Sequence, residues 1–286
     1  MTELLQIFFN SLTGVSLYLQ LALGLSLFLG VFGILNFAQG DFATVGGYAT
    51  YSVVSATGLG VYAASIAGVL SGAVLGVVFY YLIVRPLEGA PQSNQILATF
   101  GLALLLQGVL QAMFHSTPRY VPVPKGAIDI AGANLATVTL INLVISIVLV
   151  TVLFLVLFRT SFGRQVRAVS QNSLGASLLG IDTTRAKIIA CVLAGVLSSG
   201  AALVLLGSYF LTPTVGFEAI FKAFTVVVVA GLGNLRAVIV ASVVLAFAES
   251  MTQFLVSDAA GSLVGFGIVV VALLIRPTGI AARASL

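Results

Sequence analysis

The 286-residue chain is 60% hydrophobic and only 7% charged, with a mean hydropathy of +1.19. A soluble domain carries roughly 25% charged residues, so this composition cannot cover a water-exposed surface and excludes an ordinary soluble protein. The net charge of +4 comes without any basic run longer than two residues, so it does not indicate nucleic-acid binding. The composition predicts a polytopic integral membrane protein.

Breakers and charged residues divide the chain into about nine apolar segments, where crossing a bilayer takes about 20 residues. The segments are residues 11–32, 42–56, 61–84, 95–114, 137–158, 186–207, a short piece ending at 230, 237–256 and 261–275. The predicted fold class is an all-α polytopic membrane protein with about 8–9 transmembrane helices, some of them broken. We expect residues 1–286 to form a single transmembrane domain.

Two polar interruptions lie in corresponding places of the two halves of the chain. The first, residues 33–41, ends at Gly40 and Asp41, and the second, around Pro213, contains Gly216 and Glu218. Paired interruptions of apolar segments in two halves of a sequence point to a transport site in the middle of the membrane. A third polar stretch, residues 115–134, contains three prolines and is predicted to be an external loop.

The longest polar segment between apolar runs is residues 159–187, which holds five of the twelve Lys and Arg residues and a single acid, Asp182. Short basic loops beside membrane spans lie on the cytoplasmic side, because they resist translocation. We therefore place this loop and the basic C-terminal tail in the cytoplasm and the N-terminus outside. Apolar residues at helical spacing predict two short amphipathic helices in the loop, the second capped by Asn172 or Ser173.

Three acids within or beside apolar segments are candidate functional residues, since a charge in the membrane faces protein or water. Asp41 either caps the helix predicted to begin at Phe42 or lines a translocation path, and the two roles are compatible. Glu249 either has a structural partner or contacts cargo. Glu218 and Lys222 are four residues apart, a spacing that favours an ion pair on one helix face.

The chain lacks the constellations that would indicate catalysis or cofactor binding. No G-x-x-x-x-G-K-[ST] loop is present, so ATP binding in the P-loop manner is excluded. Cys191 and His115 are each the only residue of their kind, which argues against a disulfide framework and a metal site. We expect no catalytic, cofactor-binding or metal-binding residue in this chain.

Four motifs together resemble the permease subunits of bacterial high-affinity branched-chain amino acid ABC importers, of the LivH type. They are GILNFAQGDFATVGGY at 33–48, GRQVRAVSQNSLGASLLGID at 163–182, GLGNLRAV at 231–238 and LIRPTGI at 274–280. Their order and spacing fit the family over nearly the whole chain. Gln39 stands where the family usually has histidine, and Ser173, Leu174 and Gly175 depart from the residues common there.

The resemblance implies a multi-pass protein of the bacterial inner membrane that works with other subunits. These would be a second homologous permease, two cytoplasmic ATPases that bind ATP and magnesium, and an external solute-binding protein. We predict a translocation path that contains Asn36, Gln39, Gly40, Asp41, Glu218 and Glu249. The implied ATPase-coupling residues are Arg164, Arg167, Ala176, Leu178, Gly180 and Ile181.

Two alternatives remain open from the sequence. Relatives in the same family carry urea or short-chain amides, and nothing in the sequence separates these from amino acids. An ion-coupled secondary transporter would instead use charged relay residues within spans, for which Asp41 and Glu249 are available.

Overall fold

The computed structural model describes residues 2–124, 126–208, 210–231 and 233–275. Within them the chain is mostly helical, with one β-hairpin and a π-helical turn at Tyr80–Val84 that extends α3. The helices are α1 (Thr2–Phe32), α2 (Gln39–Thr57), α3 (Val61–Phe79), α4 (Gln92–Phe114), α5 (Thr137–Arg159), α6 (Ser161–Gln171), α7 (Ser173–Leu178), α8 (Thr183–Gly200), α9 (Ala202–Ser208), α10 (Val215–Ala230), α11 (Leu235–Leu255) and α12 (Asp258–Ile275). The strands are β1 (Ala127–Ile130) and β2 (Ala133–Ala136).

Among the described residues, six helical segments are long and apolar enough to cross a membrane, which makes this a multi-pass membrane protein. They are α1, α3 with its π-helical turn, α4, α5, α8 continued to Gly207, and α11. Each of the nine predicted apolar segments lies on helix, but α2 carries polar residues in its first turn and α10 has only 16 residues. Helix α12, which has 18 residues, is not among the six either.

Helix α1 is the centre of the bundle. It is apolar around its whole circumference, as expected of a helix surrounded by others. Of its most apolar 18-residue stretch, 78% is buried. It packs against α5, α8, α10 and α11. By contrast, only 17% of the most apolar 18-residue stretch of α4 and 22% of that of α5 are buried, so these two helices lie at the periphery.

Glycines bring α3 and α8 into backbone contact. A Cβ atom at Gly72 would lie 2.4 Å from the carbonyl oxygen of Gly195, and one at Gly76 would lie 2.4 Å from that of Cys191. Small residues at helix interfaces permit this approach in membrane bundles. The pair packs along several turns, and the Ser199 side chain of α8 also lies against Gly72.

Three connections between helices lie at one end of the bundle. Lys187 donates to Glu88 Oε1 across 3.0 Å, which joins the α3–α4 connection to the start of α8. Arg167 of α6 and Arg236 of α11 both lie over the Phe158 ring, at 5.1 and 5.4 Å from its centroid. The basic loop, the α3–α4 connection and the α10–α11 turn therefore share one end.

The β-hairpin and the loop before it lie at the other end. The Gln6 side chain of α1 donates to the carbonyl oxygen of Asn134 at 3.1 Å and accepts from its N–H at 2.9 Å. Arg119 and Leu211 exchange backbone hydrogen bonds of 2.9 and 3.0 Å. The sequence predicts only a loop at residues 115–134, whereas Ala131 and Gly132 adopt positive φ and form the turn of an antiparallel hairpin.

Candidate functional site

Helices α2 and α10 contact each other inside the bundle through their first turns, at Gly40 and Gly216. A Cβ at Gly40 would lie 1.9 Å from the Gly216 carbonyl oxygen, and one at Gly216 would lie 2.1 Å from that of Gly40. Thr44 Oγ1 accepts from the Gly216 N–H at 3.0 Å. Each helix has one acid in its first turn, Asp41 or Glu218, which suits the positive end of a helix dipole. The two polar interruptions noted in the sequence are therefore in direct contact.

Gln39 connects the first interruption to α8. Its amide nitrogen donates to the Ala194 carbonyl oxygen at 3.1 Å and to Ser198 Oγ, and its oxygen accepts from Asn36 Nδ2 at 3.0 Å. Asn36 Oδ1 also accepts from the Ala38 N–H at 3.0 Å. Gln39 is fully buried and Asn36 is 1% exposed. These two amides hold the non-helical chain between α1 and α2 in place.

Asp41 is fully buried within the first turn of α2 and faces α4. The Gln107 side chain donates to its Oδ1 at 3.0 Å, while Oδ2 has no hydrogen-bond partner. The helix begins at Gln39, its N-cap residue is Ala38, and no side chain caps it. The N-cap role considered for Asp41 is therefore wrong: the amides of Asn36 and Gln39 order the preceding turn, so the helix begins before the position that Asp41 would cap.

Glu249 of α11 pairs with Lys222 of α10. Lys222 Nζ donates to Glu249 Oε1 at 2.5 Å, and the Tyr18 hydroxyl of α1 donates to Oε2. Tyr18 lies twelve residues from Gln6, at the hairpin end, and twelve from Gly30, which approaches Gly233 of the α10–α11 turn. It is therefore about 18 Å along α1 from each end of the bundle. A cavity of about 150 Å³ adjoins the pair, lined by Asn10, Thr13, Gly14, Leu17, Tyr18, Lys222, Ala246, Glu249, Ser250 and Gln253.

The predicted ion pair between Glu218 and Lys222 is wrong for the part of the chain that the structure describes. Lys222 is taken by Glu249, 27 residues later in the sequence. Glu218 is exposed and lines a second cavity, of about 60 Å³, that also contains Lys222. A four-residue spacing permits contact on a helix but does not decide it, and the buried carboxylate of Glu249 has the greater need of a counter-charge.

Sequence reasoning missed Tyr18, Lys222 as the partner of Glu249, and Ser198. Tyr18 has no local signal, because it lies in a run of apolar residues whose packing cannot be read from spacing. The sequence does indicate an ion pair for Lys222, but the four-residue spacing points to Glu218 instead of Glu249. Its position as a cation within an apolar segment could have suggested that it neutralises another intramembrane charge.

The basic loop forms two short helices, α6 and α7, as predicted, and Asn172 caps the second by accepting from the Gly175 N–H at 2.8 Å. Arg164 is exposed, whereas Arg167 donates to the Leu157 carbonyl oxygen and so ties α6 to α5. Ala176 is 4% exposed and Leu178 81%. Gly180 has a φ of +77°, and Ile181 packs partly against the core.

A family model described as "Branched-chain amino acid transport system / permease component" matches residues 7–275. The high-affinity branched-chain amino acid transport system permease protein LivH of Escherichia coli is 28% identical over an alignment of 306 positions, gaps included, which covers 98% of this chain and 96% of the relative. The corresponding protein BraD of Pseudomonas aeruginosa is 28% identical over an alignment of 296 positions, with the same two shares covered.

Among solved structures, PsaBC from Streptococcus pneumoniae in complex with a Fab contains a matching chain. The TM-score is 0.49 and the identity 15%, over 96% of this chain and 92% of that one. A likeness at this level supports no inference.

Proposed function

The chain belongs to the family of permease components of branched-chain amino acid transport systems, and we propose that it is the permease subunit of an ABC importer for branched-chain or related amino acids. The match over residues 7–275 carries this proposal, because it runs from α1 to the end of α12. A carrier of urea or short amides and an ion-coupled transporter are not favoured, because LivH and BraD are both named as branched-chain amino acid permeases.

The proposed architecture is one transmembrane domain over residues 1–286 with about eight to nine transmembrane helices. Nine crossings would place the basic loop and the C-terminus in the cytoplasm of a bacterial cell and the N-terminus outside. Three connections at one end of the bundle support it. Seven of the twelve Lys and Arg residues lie in these connections or the adjoining helix turns: Arg85, Arg159, Arg164, Arg167, Arg185, Lys187 and Arg236. A basic end of this kind is expected at the cytoplasmic face.

The proposed translocation path runs past the meeting point of α2 and α10 and past Glu249. Half-helices that begin within a bundle are typical of transport sites, since unwound backbone is tolerated at membrane depth only beside protein or a cavity. Gly40 and Gly216 form that meeting point. Asn36, Gln39 and Asp41 serve it by fixing the start of α2, and Glu218 and Glu249 supply carboxylates next to cavities.

The proposed contact with a cytoplasmic ATPase is the α6–α7 segment. Leu178 and its neighbours Leu174 and Leu179 are 81%, 71% and 83% exposed, so they form an apolar projection on a short helix. Ala176 and Arg167 hold the projection on the bundle, Gly180 and Ile181 end it, and Arg164 adds an exposed positive charge. ATP and magnesium would bind to that partner subunit.

The test is co-expression with the neighbouring genes, followed by purification and reconstitution. We expect two ATPase subunits and a second permease to be recovered with the chain. With the external binding protein and ATP added, the vesicles should accumulate labelled leucine. Leucine transport by this chain alone, without ATP, would contradict the proposal.

A further inference from the structure

The cavity beside Glu249 extends from a polar mouth to a buried ion pair. Asn10 is exposed, and Thr13, Ser250 and Gln253 are partly exposed, whereas Glu249 is 7% exposed. The mouth lies towards the hairpin end of α1, because Asn10 is only four residues from Gln6, which contacts Asn134. A ligand entering from that side would reach the two charges about halfway through the bundle.

We propose that this cavity binds the head group of a zwitterionic amino acid, with its α-ammonium on Glu249 and its α-carboxylate on Lys222. The inference rests on the proposed function and adds where in this chain the cargo is recognised, and by which charges. About 150 Å³ is the space of roughly five water molecules, which is enough for the nitrogen, the α-carbon and the carboxylate of an amino acid.

Charge balance selects a zwitterion over other small solutes. When a zwitterion enters between Glu249 and Lys222, one ion pair is exchanged for two, and each charge stays paired. An anion or a cation would leave one protein charge without its partner, which is costly at a buried site. A neutral amide could not replace the charge-assisted bond between the two residues.

The two residues differ in mobility in the way that such an exchange requires. Glu249 is fixed by the Tyr18 hydroxyl, and its side chain is 9% exposed. The Lys222 side chain is 33% exposed and ends a flexible four-carbon stem, so it can move away to admit the ligand. Lys222 and Leu17 also line the second cavity, of about 60 Å³, whose walls include Leu205, Val215 and Ala219. Apart from the charged residues Glu218 and Lys222, this lining is aliphatic, and it lies next to the head-group site, where it suits a branched aliphatic side chain.

Equilibrium binding of labelled leucine tests the proposal on the permease complex in lipid nanodiscs, without the external binding protein. In the double variant Glu249→Gln/Lys222→Met, which removes both charges together, we expect leucine affinity to fall at least about thirtyfold, as for loss of buried charge pairs at other interfaces. The matched control is Glu88→Gln/Lys187→Met, which removes the half-exposed ion pair at the other end. Its leucine affinity should equal that of the wild type.

Charge reversal separates recognition from a purely structural role. Glu249→Lys/Lys222→Glu restores an ion pair, so a structural pair would regain wild-type leucine binding. A head-group site would present reversed charges to the ligand beside unchanged apolar walls, and binding should stay at least about thirtyfold weaker although the protein assembles.

A ligand series on the unmodified complex needs no variant to fold. Leucinamide keeps only the positive charge and 4-methylpentanoate only the negative one, so each should bind at least about thirtyfold more weakly than leucine. Equal binding of either, or leucine binding unchanged in the neutral double variant while the wild type still imports leucine with ATP, would overturn the head-group site and leave the proposed function standing. A wild-type complex that neither binds nor imports leucine would overturn both.

Discussion

The meeting of Gly40 and Gly216 makes a strong prediction about stability. In Gly40→Ala the new methyl group would lie 1.9 Å from the Gly216 carbonyl oxygen, about 1.5 Å short of ordinary van der Waals contact. The obstacle is backbone within a helix, so no side-chain rotation relieves it. Overpacking of this kind costs about 3 kcal/mol or more, and we expect the melting temperature to fall by about 6 °C or more.

The assay is the loss of helical circular dichroism on heating the purified chain in detergent, with Gly101→Ala as the control. Gly101 lies within α4, and nothing approaches its added Cβ within 4 Å. The same substitution there gains helix propensity, worth about 0.5–1 kcal/mol, and should leave the melting temperature equal or slightly higher. If Gly40→Ala melts with the control and not below it, α2 and α10 do not meet as described.

Three further predictions concern other parts of the chain. Gln39→Leu removes three hydrogen bonds and leaves Asn36 and the other partners of Gln39 unsatisfied in a buried site. We expect the free energy of unfolding to fall by about 2–4 kcal/mol, measured in the same melting assay. An unchanged transition would show that the turn before α2 does not need this amide. Leu178→Asp replaces an 81% exposed side chain, so insertion and melting should be unchanged while ATP-driven leucine uptake is lost, and normal uptake would exclude α7 from the ATPase contact. Glu88→Gln breaks a half-exposed ion pair with Lys187, and its effect on stability should stay within about 0.5 kcal/mol; a larger loss would mean that this contact holds the two connections together.

Local chemistry was predictable from the sequence, and long-range pairing was not. The Asn172 cap and the two short helices follow from residues within a few positions of one another, and both are confirmed. The partner of Lys222 is 27 residues away, and the spacing rule for helices selected a nearer acid instead. The contact of Gly40 with Gly216 spans more of the chain still: the sequence marked both as interruptions, but only packing brings them together.

The start of α2 and the hairpin are two local features that the sequence did not predict. An acid before an apolar run fits an N-cap, yet the Asn36 and Gln39 amides order the preceding turn and move the start of the helix to Gln39. The hairpin turn at Ala131 and Gly132 joins strands of four residues each, too short for an alternating pattern to stand out beside the prolines and glycines of that loop.

Helix α8 connects two distant parts of the molecule, the basic loop and the start of α2. It begins beside the basic loop, where the Asp182 side chain accepts from the Arg185 N–H at 3.0 Å, and reaches the Gln39 contact at Ala194, about 18 Å further along its axis. Its backbone contacts with α3 at Gly195 restrain it from bending on the way. Under the proposed ATPase contact, a displacement of the basic loop would be passed along α8 to the start of α2.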